Sequence, residues 1–126
     1  MGNTCEADDF VIGEEECESS RRLFADLFSH KWSAPVVDVL EGGPIRFGAL
    51  QRELRGVSAK VLTRTLRRLE GLGLVDRVVY PDVPLRVEYS LTELGGGAAG
   101  VLRHTRRWAR QNIDEIVRVA SPDRMP

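Results

Sequence analysis

The sequence predicts an α+β fold in which helices flank a tightly joined helix pair and a two-stranded β-hairpin follows that pair as a wing. Three observations predict it. Apolar residues recur at helical spacing in four segments before Leu72 and in one long segment after Thr92. A short Gly-containing turn, Arg55-Gly56-Val57, separates two of these segments, and Ser58 stands where the second needs its cap. Between Val75 and Leu91 the period changes to two, around a Pro-bounded tip.

The elements follow in order. The first helix runs from about Cys17 to Phe28, with Leu23, Phe24, Leu27 and Phe28 as its apolar stripe. Ser33 reads as the cap of a second helix, with Pro35 in the first turn, where its missing N–H costs little. Val36, Val37, Val39 and Leu40 are its buried residues, and Gly42-Gly43-Pro44 stops it. Phe47, Leu50 and Leu54 fall on one side of a short third helix. The fourth covers about Ala59 to Gly71. Val75–Tyr80 and Arg86–Leu91 are the hairpin strands, and Pro81 to Pro84 form its rigid tip. Thr92 caps a last helix that continues to about Ala120, ahead of Pro122. Each glycine of Gly95-Gly96-Gly97 costs a helix about 1 kcal/mol against Ala. A frayed, kinked or tightly packed first turn is therefore expected there.

At 126 residues the chain has room for one domain. The expected organisation is an acidic flexible tail at 1–16, a folded body at 17–120 and a flexible C-terminus at 121–126. No apolar run is long enough to span a bilayer, and the N-terminus lacks the pattern of a secretory signal, so a soluble, cytoplasmic protein without membrane association is expected. The net charge of −1 conceals a segregation. Residues 1–18 hold seven acids and no base; the remainder holds all 18 bases against 12 acids. A basic body behind an acidic tail points to a polyanion partner. Sixteen of the bases are Arg, the better fork for phosphate and guanine edges.

The fourth helix carries the sharpest signal. On a helical wheel Leu66 and Leu69 lie within about 40° of Leu62, and Lys60, Arg64 and Arg67 within about 40° of the opposite pole. Thr63 and Arg68 flank that basic face. An ordinary solvated face mixes signs, whereas from Arg46 to Arg68 there are seven bases and one acid, Glu53. This suits a helix that lies in the major groove of double-stranded DNA, backed by a core. Ser58, Lys60, Thr63 and Arg64, nearest its N-terminus, are the candidates for base edges. Arg67 and Arg68, with Arg46, Arg52 and Arg55 before the helix, are candidates for phosphates, and Arg86 in the hairpin for the minor groove or backbone.

Other chemistry finds little support. His30 and His104 are isolated, no zinc-like spacing of Cys and His exists, and Gly95–Gly97 lacks the Lys-Ser/Thr of a phosphate loop. No cofactor, metal or catalytic residue is expected. Cys17 reads as an ordinary thiol or as the redox candidate: Arg21 lies one turn on, opposed by Glu14, Glu15, Glu16 and Glu18. Trp32 reads as core. The last helix holds more apolar surface than one small domain buries, so Leu23, Phe24, Val101, Trp108 and Ile116 are expected to pair two copies of the chain.

Taken in order, Lys31-Trp32, Gly43-Pro44-Ile45-Arg46-Phe47, Val57-Ser58-Ala59-Lys60-Val61-Leu62-Thr63, Gly73-Leu74-Val75 with Arg77, Tyr80, Val83-Pro84, and Arg86-Val87-Glu88-Tyr89-Ser90-Leu91-Thr92 with Leu94-Gly95 resemble the HxlR family. These are bacterial winged-helix regulators distantly related to the MarR type. The resemblance covers roughly Cys17 to Trp108. It implies a winged helix-turn-helix with N- and C-terminal dimerisation helices, acting as a homodimeric transcription regulator on an operator. It implies the helix beginning at Ser58 as the reader and the hairpin around Pro81 to Pro84 as the wing. Some members sense oxidants or electrophiles through a cysteine near the position of Cys17. Two other functions fit the same body: a winged-helix protein-interaction module, and a sensor whose DNA affinity follows a small-molecule or redox effector.

Overall fold

A computed structural model describes the backbone of Cys5–Ala7, Phe10–Ile12 and residues 14–121, and the side chains of residues 18–121. In chain order the elements are β1 (Cys5–Ala7), β2 (Phe10–Ile12), α1 (Glu14–Ser29), α2 (Ser33–Leu40), β3 (Ile45–Arg46), α3 (Phe47–Glu53), α4 (Ala59–Gly71), β4 (Val75–Tyr80), β5 (Arg86–Leu91), α5 (Glu93–Gln111) and α6 (Ile113–Ala120). The fold is α+β. Of the expected tail, 1–16, the backbone of Cys5–Ala7, Phe10–Ile12 and residues 14–16 is described, and of the C-terminus, 121–126, Ser121. Within the tail, β1 and β2 pair antiparallel, with Cys5 opposite Ile12. The first helix begins at Glu14, ahead of the expected Cys17.

One core joins the helices to the hairpin. Leu27 of α1, Val36, Val37 and Leu40 of α2, Leu50 of α3, Leu62, Leu66 and Leu69 of α4, Val75 of β4, and Ala98, Ala99 and Leu102 of α5 are all buried in it. Trp32 is half-buried against that core, with Lys31 Nζ 5.3 Å from its ring centroid. Between α3 and α4, Gly56 takes φ +95°, a left-handed conformation that a side chain would strain, and this makes the tight turn of the helix pair.

The structure departs from the sequence reading in three further places. β3 adds a strand beside β5, with Ile45 opposite Tyr89 and Arg46 opposite Glu88, so the sheet has three strands in the order β3-β5-β4. Two residues are too few to show a period. Ser33 is not a cap: Trp32 holds that position without a side-chain hydrogen bond, and the fully buried Ser33 donates its Oγ–H to Asp26 Oδ1 at 3.3 Å. The last helix is two helices. Asn112 leaves helical geometry at φ −119°, ψ 20°, and its side-chain amide donates to the Trp108 carbonyl at 2.9 Å. The Asn112 backbone N–H also reaches the Trp108 and Ala109 carbonyls, at 3.1 and 3.2 Å, so the turn closes on this one residue.

At Gly95–Gly97 the outcome is close packing. A Cβ on Gly95 would lie 2.0 Å from the Leu74 carbonyl oxygen. Thr92 Oγ1 accepts the Gly95 N–H at 2.9 Å and donates to the Gly73 carbonyl at 2.6 Å. The start of α5 is thereby pinned to the turn between α4 and β4.

Candidate nucleic-acid interface

α4 is positioned from beneath. Ser58 caps it, its Oγ accepting the Val61 N–H at 3.1 Å. Leu62, Leu66 and Leu69 anchor one face in the core, and the buried Thr65 donates to the Val61 carbonyl at 2.9 Å. The opposite face carries exposed Lys60, Arg64 and Arg67, with half-buried Thr63. An open hollow of about 470 Å³ along this face is lined by Ala59, Lys60, Thr63, Arg64 and Arg67. Among the described residues no carboxylate lies within ion-pair distance of Lys60, Arg64 or Arg67. Their charge therefore faces solvent uncompensated, as a polyanion-binding surface requires.

The structure thus brings Ser58, Lys60, Thr63, Arg64 and Arg67 together. Arg46, Arg52 and Arg55 are exposed at the start of α3, in its last turn and in the turn after it. Two other expected DNA contacts are engaged inside the protein. Arg68 turns toward α1, its Nε 3.8 Å from Asp26 Oδ2, and both side chains are largely buried. Arg86 donates from Nε to Asp82 Oδ2 at 2.8 Å and from Nη1 to Glu88 Oε2 at 2.7 Å. Its guanidinium also lies 3.9 Å from the Tyr80 ring centroid. The hydrogen bond to Asp82 first, then both carboxylate charges, hold the Arg86 pKa above its ordinary value.

Sequence reasoning missed Arg77 and Tyr89. With Thr63, Leu66, Arg67 and Glu70 they line a second hollow of about 230 Å³ where α4 meets the hairpin. The signal was available in outline, because pairing Val75–Tyr80 with Arg86–Leu91 sets Arg77 opposite Tyr89.

Of the expected dimer residues, Leu23 packs against the core. Phe24, Val101 and Trp108 are 51%, 44% and 57% exposed, and Ile116 is half-buried. Cys17 lies on α1, but its side chain is outside the described residues. His30 and His104 are exposed. No helix among the described residues is long and apolar enough to cross a membrane.

Comparison with known proteins agrees with this geometry. Residues 27–117 match the HxlR-like helix-turn-helix family. The HTH-type transcriptional regulator YtfH of Escherichia coli is 36% identical over 105 residues, which cover 83% of this chain and 82% of that protein. The crystal structure of a MarR-family transcriptional regulator from Enterococcus faecalis superposes with a TM-score of 0.73 at 30% identity, over 89% of this chain and 99% of that one. The reduced form of the redox regulator HypR superposes with a TM-score of 0.70 at 32% identity, over 77% of this chain and 96% of that one. These relatives are regulators and not enzymes, their likeness spans helices, sheet and hairpin alike, and the chain belongs to the HxlR-like helix-turn-helix family of transcriptional regulators.

Proposed function

We propose that the chain is a homodimeric, sequence-specific DNA-binding regulator of the cytoplasm, with α4 in the major groove and the β4–β5 hairpin on the backbone or minor groove beside it. The observation that carries this reading is the face of α4, three bases without acidic partners along an open hollow. Ser58, Lys60, Thr63 and Arg64 are assigned to base edges: Arg64 to guanine O6 and N7, Thr63 to a thymine methyl. Arg46, Arg52, Arg55 and Arg67 are assigned to phosphates. Arg68, bound to Asp26, braces α4 against α1 instead.

Dimerisation is supported by the terminal helices. α6 sets Ile113, Ile116, Val117 and Ala120 at helical spacing, yet buries no residue within the chain. Phe24, Phe28, Leu94, Val101 and Trp108 add exposed apolar surface on α1 and α5. A second copy would cover this surface and set two α4 helices about 34 Å apart, in successive major grooves.

The test is DNA binding by the purified protein, with its own upstream region against a scrambled duplex, at two salt concentrations. Preference for the native region is expected. Equal, salt-sensitive binding to both would reduce the reading to a nonspecific binder, and no binding would favour a protein-interaction module. A redox-responsive form of the same function is favoured by the likeness to HypR and by the place of Cys17 on α1. Peroxide treatment that leaves DNA affinity unchanged would remove it.

A further inference from the structure

The β4–β5 register sets Arg77 opposite Tyr89, and the pleat puts both side chains on one face of the hairpin. That face meets α4 at the second hollow. Thr63 and Arg67 line both hollows, so the two adjoin along one surface. Arg77 Nε lies 3.6 Å from Glu70 Oε1, with both side chains partly exposed at 48% and 37%. The carboxylate orients Arg77 and leaves guanidinium donors free, since a guanidinium carries five N–H groups. Burial pushes the Tyr89 pKa upward; Arg77 opposes this, Glu70 adds to it and Arg67 opposes it. The phenol therefore keeps its proton at neutral pH and remains a donor. Two guanidinium groups and a phenol line this small hollow, against the single carboxylate of Glu70 that Arg77 already faces, a donor set that suits a tetrahedral oxyanion.

We infer that this hollow holds one phosphate of the DNA backbone, with Arg67, Arg77 and Tyr89 donating to its non-bridging oxygens. The inference rests on the docking proposed above. With α4 in a major groove and the hairpin against the adjacent minor groove, the ridge between the grooves is a phosphodiester strand. That strand must cross where helix and hairpin meet. The hairpin then grips DNA at its base. Near its tip, Arg86 is already matched by Asp82 and Glu88.

The experiment is a fluorescence-anisotropy titration of the full chain on the native and scrambled duplexes, from about 50 to about 200 mM salt. Arg77→Ala should weaken binding to both duplexes by the same factor and reduce the salt slope by about two, one phosphate contact for each protomer. Arg77→Lys, which keeps the charge, should restore the slope. Tyr89→Phe should weaken binding about tenfold on both duplexes and leave the slope unchanged. Wild-type affinity and slope in Arg77→Ala, or the same lowered slope in Arg77→Lys, would overturn the inference while the docking stands. A wild-type protein that binds neither duplex would overturn the docking and the inference together.

Discussion

Arg67 and Arg68 are adjacent and chemically identical, and about 100° of helix separates their fates. Arg67 looks outward over both hollows, whereas Arg68 reaches back to Asp26, which also accepts the Ser33 hydroxyl. Arg68→Ala should therefore cost about 1 kcal/mol of stability, a fall in Tm of about 4 °C, with the salt slope of DNA binding unchanged. Arg67→Ala should leave Tm in place and reduce that slope by about two, one contact for each protomer. Thermal unfolding and the salt titration, run on both variants, separate bracing from phosphate contact. The glycine triplet divides in the same manner. A methyl on Gly95 meets the Leu74 backbone, and nothing lies within 4 Å of one on Gly96. Gly95→Ala should destabilise by about 3 kcal/mol. Gly96→Ala should stabilise by up to about 1 kcal/mol, because it removes a helical glycine from a site with space. Urea denaturation of the two variants reads both signs.

At the scale of elements, α4 was legible almost completely. Its Leu62, Leu66 and Leu69 seam, its Ser58 cap and its basic face are all local properties of one segment, and the structure has the seam buried and the cap bonded. Arg64→Ala should narrow the discrimination between native and scrambled duplexes by about 1–3 kcal/mol. Competition binding with the scrambled duplex measures this directly, and an unchanged ratio would place Arg64 off the bases. The hairpin was legible from its period, but β3 was not, since a two-residue strand exists only because β5 offers it an edge. Nor was the break at Asn112 legible. A single Asn inside an apolar helical pattern does not by itself announce that its amide and its backbone N–H both turn to the Trp108 carbonyl.

Across the whole molecule, two ion pairs tie α5 to α2 and its C-cap, Arg106 with Asp38 and Arg103 with Glu41. The helices α1, α5 and α6 leave Phe24, Phe28, Val101, Trp108, Ile113 and Val117 exposed. Leu23, Phe24, Leu27, Leu94, Gly97, Ala98 and Val101 line an apolar hollow of about 150 Å³ between α1 and α5. Apolar surface on this scale drives association. The chain is expected to sediment at twice its monomer mass at micromolar concentration. Trp108→Glu should shift it to the monomer mass and weaken specific DNA binding by more than tenfold, because two half-sites no longer act together. A Trp108→Glu protein that remained dimeric would move the interface elsewhere.

What the sequence alone determined is whatever depends on residues within a turn or two of one another. The helices and the hairpin, the caps at Ser58 and Thr92, and the division of α4 into apolar and basic faces follow from spacing and propensity. Only the tertiary structure decided how each charge is used. Arg68 faces Asp26 because the fold brings α1 beside α4, and Arg77 and Tyr89 join Arg67 because the sheet closes against α4. A charge has the same periodicity whether it faces solvent or a carboxylate. Electrostatic pairing is a matter of distance through space, which segments remote in the chain acquire only when the core brings them together.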